Sequence, residues 1–360
     1  MVAQHRLHRR AALALPALAL PALLAPRPAL AQPAEDLRSQ WENFRGRFLA
    51  PDGRIVDSGN KGISHSEGQG YGLLLAVATD DRPSFEKMLA WTRRSLKRRG
   101  DNLFAWRFRP DAANPVADQN NAADGDLFIA WALLRAGQRW GSTEYTGLAT
   151  AVARDVLRIL VRQVGRQTVL LPGARGFERR DKVLVNLSYY VFPAIRALAQ
   201  AVPDPAWVTL AADGLALLRA GRFGKWRLPP DWVQLVRADG KLSLPEEYPP
   251  RFGFDAVRVP LYLAWARLGS EPGLADCAAF WADAKHPYIP AWIDLTNDAI
   301  APYAASAGTA SVARLAAALR SGPLGEPRGL PSVASAPDYY SAVLGLLVRL
   351  AWRELLASAA

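Results

Sequence analysis

The chain has a single cysteine, Cys277, so no disulfide can close within it. Apolar neighbours such as Ala278 and Phe280 mark that thiol as buried and inert. Histidine is nearly as scarce. Of four, only His65 and His286 lie beyond residue 31. Zinc needs clustered Cys and His ligands, and this chain offers no such cluster. No GxxxxGK[ST] loop or GxSxG elbow occurs, so neither nucleotide-phosphate binding nor serine-hydrolase chemistry has support. No metal and no cofactor is expected. Long apolar runs are also missing. The apolar stretch from Ala11 to Leu24 is 14 residues long, whereas a membrane-spanning helix needs about 20.

That stretch reads as an address. Arg6, Arg9 and Arg10 precede it, and Ala29-Leu30-Ala31 follows as a small-x-small cleavage site. Residues 1–31 are expected to be an export signal cut before Gln32, sending the protein to the periplasm or outside the cell. The Arg9-Arg10 pair permits a twin-arginine route, and an uncleaved anchor is the alternative. No stable membrane insertion is expected after cleavage. The net charge is +11 for the whole chain, and residues 32–360 keep 40 basic and 33 acidic residues, a surplus of +7. The basic residues are scattered. The one dense group, Arg93-Arg94 with Lys97-Arg98-Arg99, falls at an expected helix C-terminus, where cations are favoured. Nucleic acid is therefore not the expected partner.

What is present is a globular composition, with 50% hydrophobic and 21% charged residues. Aromatic rings are abundant, at 12 Trp, 10 Tyr and 12 Phe. Most belong in a core, and a minority are available to line a groove for flat ligands such as sugar rings. Apolar residues recur at helical spacing along most of the chain. About twelve helices are expected, near 34–49, 67–79, 83–98, 124–136, 143–163, 187–200, 205–220, 255–268, 272–283, 294–304, 308–320 and 338–357. Gly137 and Gly269 read as residues just past helix ends. Pro83 and Pro205 suit first turns. Strand-like pieces are short: Thr168–Leu171 and Lys182–Val185 could pair as a hairpin, with Lys241–Leu244 as a third. These are decorations on loops. Twelve helices in one domain over 32–360 suit two concentric rings of six or a solenoid. A solenoid should repeat every 30–45 residues, about the length of a helix pair, and no repeat is found.

Three of the four long loops (51–66, 100–123 and 221–254; the fourth is 164–186) lead into an acidic helix entrance. Glu67 lies in Ser64-His65-Ser66-Glu67-Gly68-Gln69-Gly70-Tyr71-Gly72. Asp124 and Asp126 lie in Ala123-Asp124-Gly125-Asp126. Asp255 lies in Phe254-Asp255-Ala256-Val257-Arg258. Each has an ordinary structural explanation. Ser64-x-x-Glu67 fits a capping box. Asp124 fits an N-cap and Asp126 a helix dipole. Asp255 can cap its helix, with Arg258 as an i,i+3 partner. Yet Gly68, Gly70 and Gly72 each weaken a helix by ~1 kcal/mol relative to Ala. Their spacing points to a close approach of backbone or ligand. If the helices form a barrel, Glu67, Asp124 and Asp255 can converge on one cleft. Crowded carboxylates push their pKa values apart, giving one acid and one base.

These blocks resemble glycoside hydrolase family 8. The run Ala123-Asp124-Gly125-Asp126-x-x-Ile129-Ala130-x-Ala132-Leu133-Leu134-x-Ala136-x-x-x-Trp140 is similar to its helix signature. So are Ser66–Gly72, Asp255–Pro260 and Asn186-Leu187-Ser188-Tyr189-Tyr190, and the likeness runs from about Trp41 to Trp352. The subgroup it most resembles is the secreted cellulase that accompanies bacterial cellulose synthase. The resemblance implies an all-α (α/α)6 barrel and an inverting endo-β-1,4-glucanase acting on β-1,4-glucan chains, with the cellulose synthase complex as a partner. It implies Glu67 as general acid, Asp255 as general base, and Asp124 as the group that grips and distorts the sugar. Arg258 would orient Asp255 or touch sugar. Tyr189 would lie beside the water or the distorted ring, with Tyr190 adjoining the same substrate. Trp106 would stack on a sugar to the non-reducing side. Asp126 would be a helix or supporting residue. Two positions depart from the family pattern: Leu187 stands where Pro is expected, and Phe254 where Tyr is expected. The alternatives are chitosanase or xylanase activity, or a non-catalytic glucan-binding accessory of a cellulose export complex. Inversion requires acid and base carboxyls ~6.5–9.5 Å apart, and retention about 5 Å.

Overall fold

A computed structural model describes residues 37–357, so the expected export signal lies outside the described residues. Eleven α-helices occur among them. They are α1 Leu37–Phe48, α2 Ser66–Ala78, α3 Arg82–Ser95, α4 Ala123–Trp140, α5 Thr143–Leu160, α6 Phe192–Ala201, α7 Pro205–Ala220, α8 Arg258–Trp265, α9 Pro272–Ala282, α10 Ala307–Arg320 and α11 Tyr339–Ala357.

Burial sorts them into two rings. Helices α2, α4, α8 and α11 are apolar on nearly every side, as a helix must be when surrounded by others. Helix α2 packs on α4, α4 on α6, α6 on α8, α8 on α11, and α11 returns to α2. The outer helices carry one apolar stripe. In α5 it is Tyr145, Ala149, Val152, Ala153, Val156 and Leu160, at helical spacing. Helix α1 covers α11, α3 covers α2, α5 covers α4, α7 covers α6, and α9 and α10 cover α8. The architecture is an all-α (α/α)6 barrel with short β pieces in its loops.

Each outer helix returns the chain, so the inner helices run the same way and start on one rim. Below that rim the axis is filled by rings. Tyr71 meets Phe128 edge-on at 4.6 Å, and the Tyr71 and Tyr262 hydroxyls are 3.0 Å apart. Phe128, Trp131 and Trp265 continue the column.

Several local expectations change. The twelfth helix, 294–304, is absent. Asp294 Oδ1 accepts the N–H of Thr296 and Asn297, which turns the chain, and Asp298 adopts a left-handed φ of 60°. Helix α4 runs through Gly137 to Trp140, and Gly141, at φ 66°, is the left-handed cap. After α8 it is Arg267, not Gly269, that turns left-handed. The expected 168–171/182–185 hairpin does not form. Gln167–Leu170 pairs instead with Val161–Val164 around a tight turn at Gly165, which takes positive φ. Lys182–Val185 pairs with Val233–Val236, which also pairs with Leu242–Ser243.

Candidate active site

The rim gathers residues from loops far apart in sequence. At α2 the capping residue is His65, whose Nδ1 accepts the N–H of Gly68 at 3.2 Å. Ser64, the expected cap, pairs in a two-residue strand with Phe108 and donates its hydroxyl to the Ile55 carbonyl. The capping box is therefore not built, and Glu67 is left to face the cleft. Helix α4 has Ala122 at its cap position, with no side-chain bond, so Asp124 is likewise not consumed in capping. The α2 and α4 backbones approach closely here. A Cβ on Gly125 would sit 2.2 Å from Ser66 Oγ, and one on Gly70 would sit 2.6 Å from Phe128 Cβ. The glycines of both motifs thus accommodate neighbouring protein atoms.

Arg258, at the start of α8, joins the carboxylates. Its Nη1 lies 2.9 Å from Glu67 Oε2 and 3.1 Å from Asp124 Oδ2. Its Nη2 lies 2.7 Å from Asp255 Oδ1 and donates to Ser188 Oγ at 2.9 Å. Nη1 also donates to the Tyr71 hydroxyl at 3.2 Å. The residue is 1% exposed. Glu67 and Asp255 thus occupy the two prongs of one fork, which caps the separation of those two oxygens at about 8 Å. That limit admits the lower part of the inverting range and also the shorter retaining distance.

The electrostatics follow from burial and from this shared cation. Burial raises Glu67, but Arg258, His65 and the Tyr71 hydroxyl outweigh it and hold Glu67 below its ordinary value. Burial and the Glu67 charge push Asp124 up to about 7. Asp255 is raised by burial and by Glu67, against Arg258. At neutral pH Glu67 is therefore the ionised member, and Asp124, at about 7, is a neighbour able to hold a proton.

The remaining expected residues fall in different places. Tyr189 faces the cluster, its ring centroid 5.6 Å from the Arg258 guanidinium carbon. Trp106 stands in the loop beside α2; its indole donates to Asp118 Oδ2 at 2.6 Å and Arg107 covers its ring at 4.2 Å. Tyr190 does not join them. It is 1% exposed, its hydroxyl accepts the Leu170 N–H, and its ring packs where a Gly214 Cβ would be. Its neighbour Tyr189 takes the rim because the short helix Leu187–Tyr189 turns the two rings apart. In that helix Asn186 Oδ1 takes the Ser188 N–H and hydroxyl, while Leu187 is buried in the expected proline's place.

Four rim residues escaped the sequence reading. Asp57 lies 3.1 Å from His65 Nε2, and with Nδ1 occupied as an acceptor the ring proton points at Asp57. Asp231 Oδ1 accepts three backbone N–H groups, those of Gly253, Asp255 and Ala256, and so fixes the loop that carries Asp255. Burial and the Asp255 charge push Asp231 up to about 7, against those bonds. Tyr340 donates its hydroxyl to the Phe254 carbonyl, bringing a phenol to the base loop where Phe254 has none. Ser188, quoted only as part of a motif, is a direct Arg258 partner. Neither Asp231 nor Tyr340 had a local signal, because the partners of Asp231 lie 22 to 25 residues away and that of Tyr340 lies 86 residues away.

The cleft beside this cluster has a volume of about 760 Å³, and Glu67, Asp255, His65, Tyr303, Tyr339 and Tyr340 are among its lining residues. Comparison with known proteins gives the same answer from three directions. The family model for glycosyl hydrolases family 8 matches residues 12–354. A probable endoglucanase of Novacetimonas hansenii is 46% identical over 327 residues, covering 91% of this chain and 94% of that protein. An endoglucanase of Cellulomonas uda is 43% identical over 290 residues, covering 81% and 78%. Among solved structures, the endo-beta-1,4-glucanase CMCax from Acetobacter xylinum superimposes with a TM-score of 0.84 at 46% identity, covering 89% of this chain and 98% of that one. An inner-ring rim with three carboxylates on one arginine, four matching sequence blocks and a family match over nearly the whole length lead to one conclusion: this chain belongs to glycosyl hydrolases family 8.

Proposed function

We propose that the protein is an exported endo-β-1,4-glucanase that hydrolyses internal bonds of cellulose chains with inversion, through one catalytic domain spanning 32–360. The observation that carries this reading is the meeting of Glu67 from α2, Asp124 from α4 and Asp255 from the loop before α8 on the single buried guanidinium of Arg258. The endoglucanase names of the relatives support the substrate class.

In this reading Glu67 protonates the glycosidic oxygen as the bond to the anomeric carbon breaks. Asp255 removes a proton from the water that attacks that carbon from the opposite face. Asp124 holds a hydroxyl of the sugar at the cleavage point. Glu67 must therefore gain a proton that it lacks while paired with Arg258. A bound sugar that takes Arg258 Nη1 away from Glu67 and expels water removes the main influence lowering its pKa. Burial, which raises it, is then opposed only by His65 and the Tyr71 hydroxyl. Binding thus arms the acid, with Asp124 as the neighbouring carboxyl able to supply the proton. Trp106 is the aromatic surface for a sugar on the non-reducing side, and Tyr189, beside Arg258, stands next to the water or the distorted ring.

Export through residues 1–31 to the periplasm or beyond, and work beside a cellulose synthase complex, complete the proposal. The four blocks that resemble the secreted cellulase accompanying that synthase support it. Reducing-sugar release from carboxymethyl cellulose by the protein and by Glu67→Gln tests the activity. Loss in the variant with cello-oligosaccharide binding retained is the expected result. A folded wild type that releases nothing overturns it.

A further inference from the structure

We infer that Asp126 is a positioning residue that ties the Trp106 platform to the reaction centre and so determines how much the enzyme gains from glucan units bound beyond the cleavage point. This rests on the glucanase reading above. Asp126 is fully buried in the first turn of α4, two residues after Asp124. Its bonds do not serve that helix. Oδ1 accepts the Phe104 N–H at 2.9 Å, and Oδ2 accepts Asn121 Nδ2 at 2.7 Å.

Those two partners are the two legs of the loop that presents Trp106. Ala105 bridges to Asn121, and Trp106 N donates to the Asn120 carbonyl at 2.9 Å. The Trp106 carbonyl in turn accepts the N–H of Ser66 at 3.0 Å, one residue before Glu67. One carboxylate therefore clamps both legs of the platform and shares a helical turn with Asp124. The orientation of Asn121 is fixed by its other bonds. Its Oδ1 accepts from Arg98 Nη1 and from Ala174 N, both at 2.8 Å, so its NH2 must face Asp126. Both Asp126 oxygens consequently meet donors, which favours the ionised form. Burial pushes this carboxyl up to about 8, and the two donors with Arg98 behind them oppose that.

The test compares kcat/KM on cellohexaose and cellotetraose for wild type, Asp126→Asn, Trp106→Ala, the two combined, and the exchange Asn121→Asp with Asp126→Asn. An amide at 126 accepts on one oxygen only, so Asp126→Asn loses one clamp. The expected loss on cellohexaose is about threefold to tenfold, the worth of one hydrogen bond. It should appear in KM, with a smaller loss on cellotetraose, and vanish in the Trp106→Ala background. The exchange restores every bond: the amide oxygen takes Phe104 N–H and its NH2 meets the new carboxylate at 121, which keeps Arg98 and Ala174. Recovery of the wild-type ratio between the two substrates supports the assignment. Equal losses on both substrates, or a loss that persists without Trp106, overturn it. If Asp126→Asn does not fold, the exchange variant alone decides, by keeping or losing that ratio. A wild type inactive on both oligomers would instead sink the glucanase reading.

Discussion

Arg258 Nη1 stands 2.9 Å from Glu67 Oε2, and the guanidinium that makes this contact is almost wholly buried. A cation in that position serves three carboxylates at once. Replacing it with Met of similar length leaves them uncompensated. The expected loss is about 3–5 kcal/mol of stability and roughly a hundredfold or more in kcat/KM. Without the cation the carboxyl pKa values rise above their unfolded values, so ionising them opposes folding. The deficit of Arg258→Met should therefore widen as pH rises from about 5 to about 8. Urea denaturation at both pH values, with a constant deficit as the contrary result, checks this.

Asp124 gives a second pH signature. Its folded pKa of about 7 lies above the ~3.9 of an unfolded aspartate. The native state thus holds the proton more tightly. Its contribution is fully present below pH ~4 and is lost as pH rises toward about 7. Asp124→Asn cannot ionise, so its stability should fall less across that window than the wild type's. Melting temperature against pH, measured for both proteins, is the comparison, and parallel curves would count against the assignment.

The stereochemical course is open to direct observation. With Asp255 as base, the new reducing end should first appear as the α-anomer, from β-linked substrate. Proton NMR in the first minutes, before mutarotation, reads this. An initial β-anomer would mean that the two carboxyls work as acid and nucleophile.

His65 offers a test of the α2 entrance. Its Nδ1 caps Gly68, so His65→Ala should cost about 1 kcal/mol. His65→Asn, whose side chain can accept the same bond, should recover most of it. Denaturant midpoints of the two variants distinguish a cap from a residue that merely fills space.

Two glycines should behave oppositely. A Cβ at Gly125 meets Ser66 Oγ at 2.2 Å and Glu67 N at 2.7 Å, so Gly125→Ala must drive α2 and α4 apart and abolish activity. Gly147, inside α5, has nothing within 4 Å. There Ala should stabilise by about 0.5–1 kcal/mol, leaving activity unchanged. Loss of activity in the Gly147 variant, or its survival in the Gly125 one, would contradict this packing.

The legibility of the chain divides along physical lines. Helices were readable because burial repeats every three to four residues, and eleven of the twelve expected spans contain one. The span 294–304 misled because its apolar residues mimic that period while Asp294 and Asp298 turn the backbone. Glu67, Asp124, Asp255 and Arg258 were readable as acidic or basic groups at helix starts. Their meeting on one guanidinium was not, since it depends on ring closure. Strand partners were misassigned because four-residue segments carry too little pattern to choose between neighbours. Tyr190 was drawn into the site by adjacency to Tyr189, although successive residues in a short helix point in different directions.

The aromatic column of Tyr71, Tyr262 and Phe128 has a consequence for how a polymer is handled. These rings plug the barrel beneath the rim carboxyls gathered on Arg258. A glucan therefore cannot thread along the axis like a rope through a pulley. It has to lie across the rim, entering and leaving sideways. An enzyme laid out in this way needs no free chain end to begin, and it can release both fragments without reeling either of them through itself.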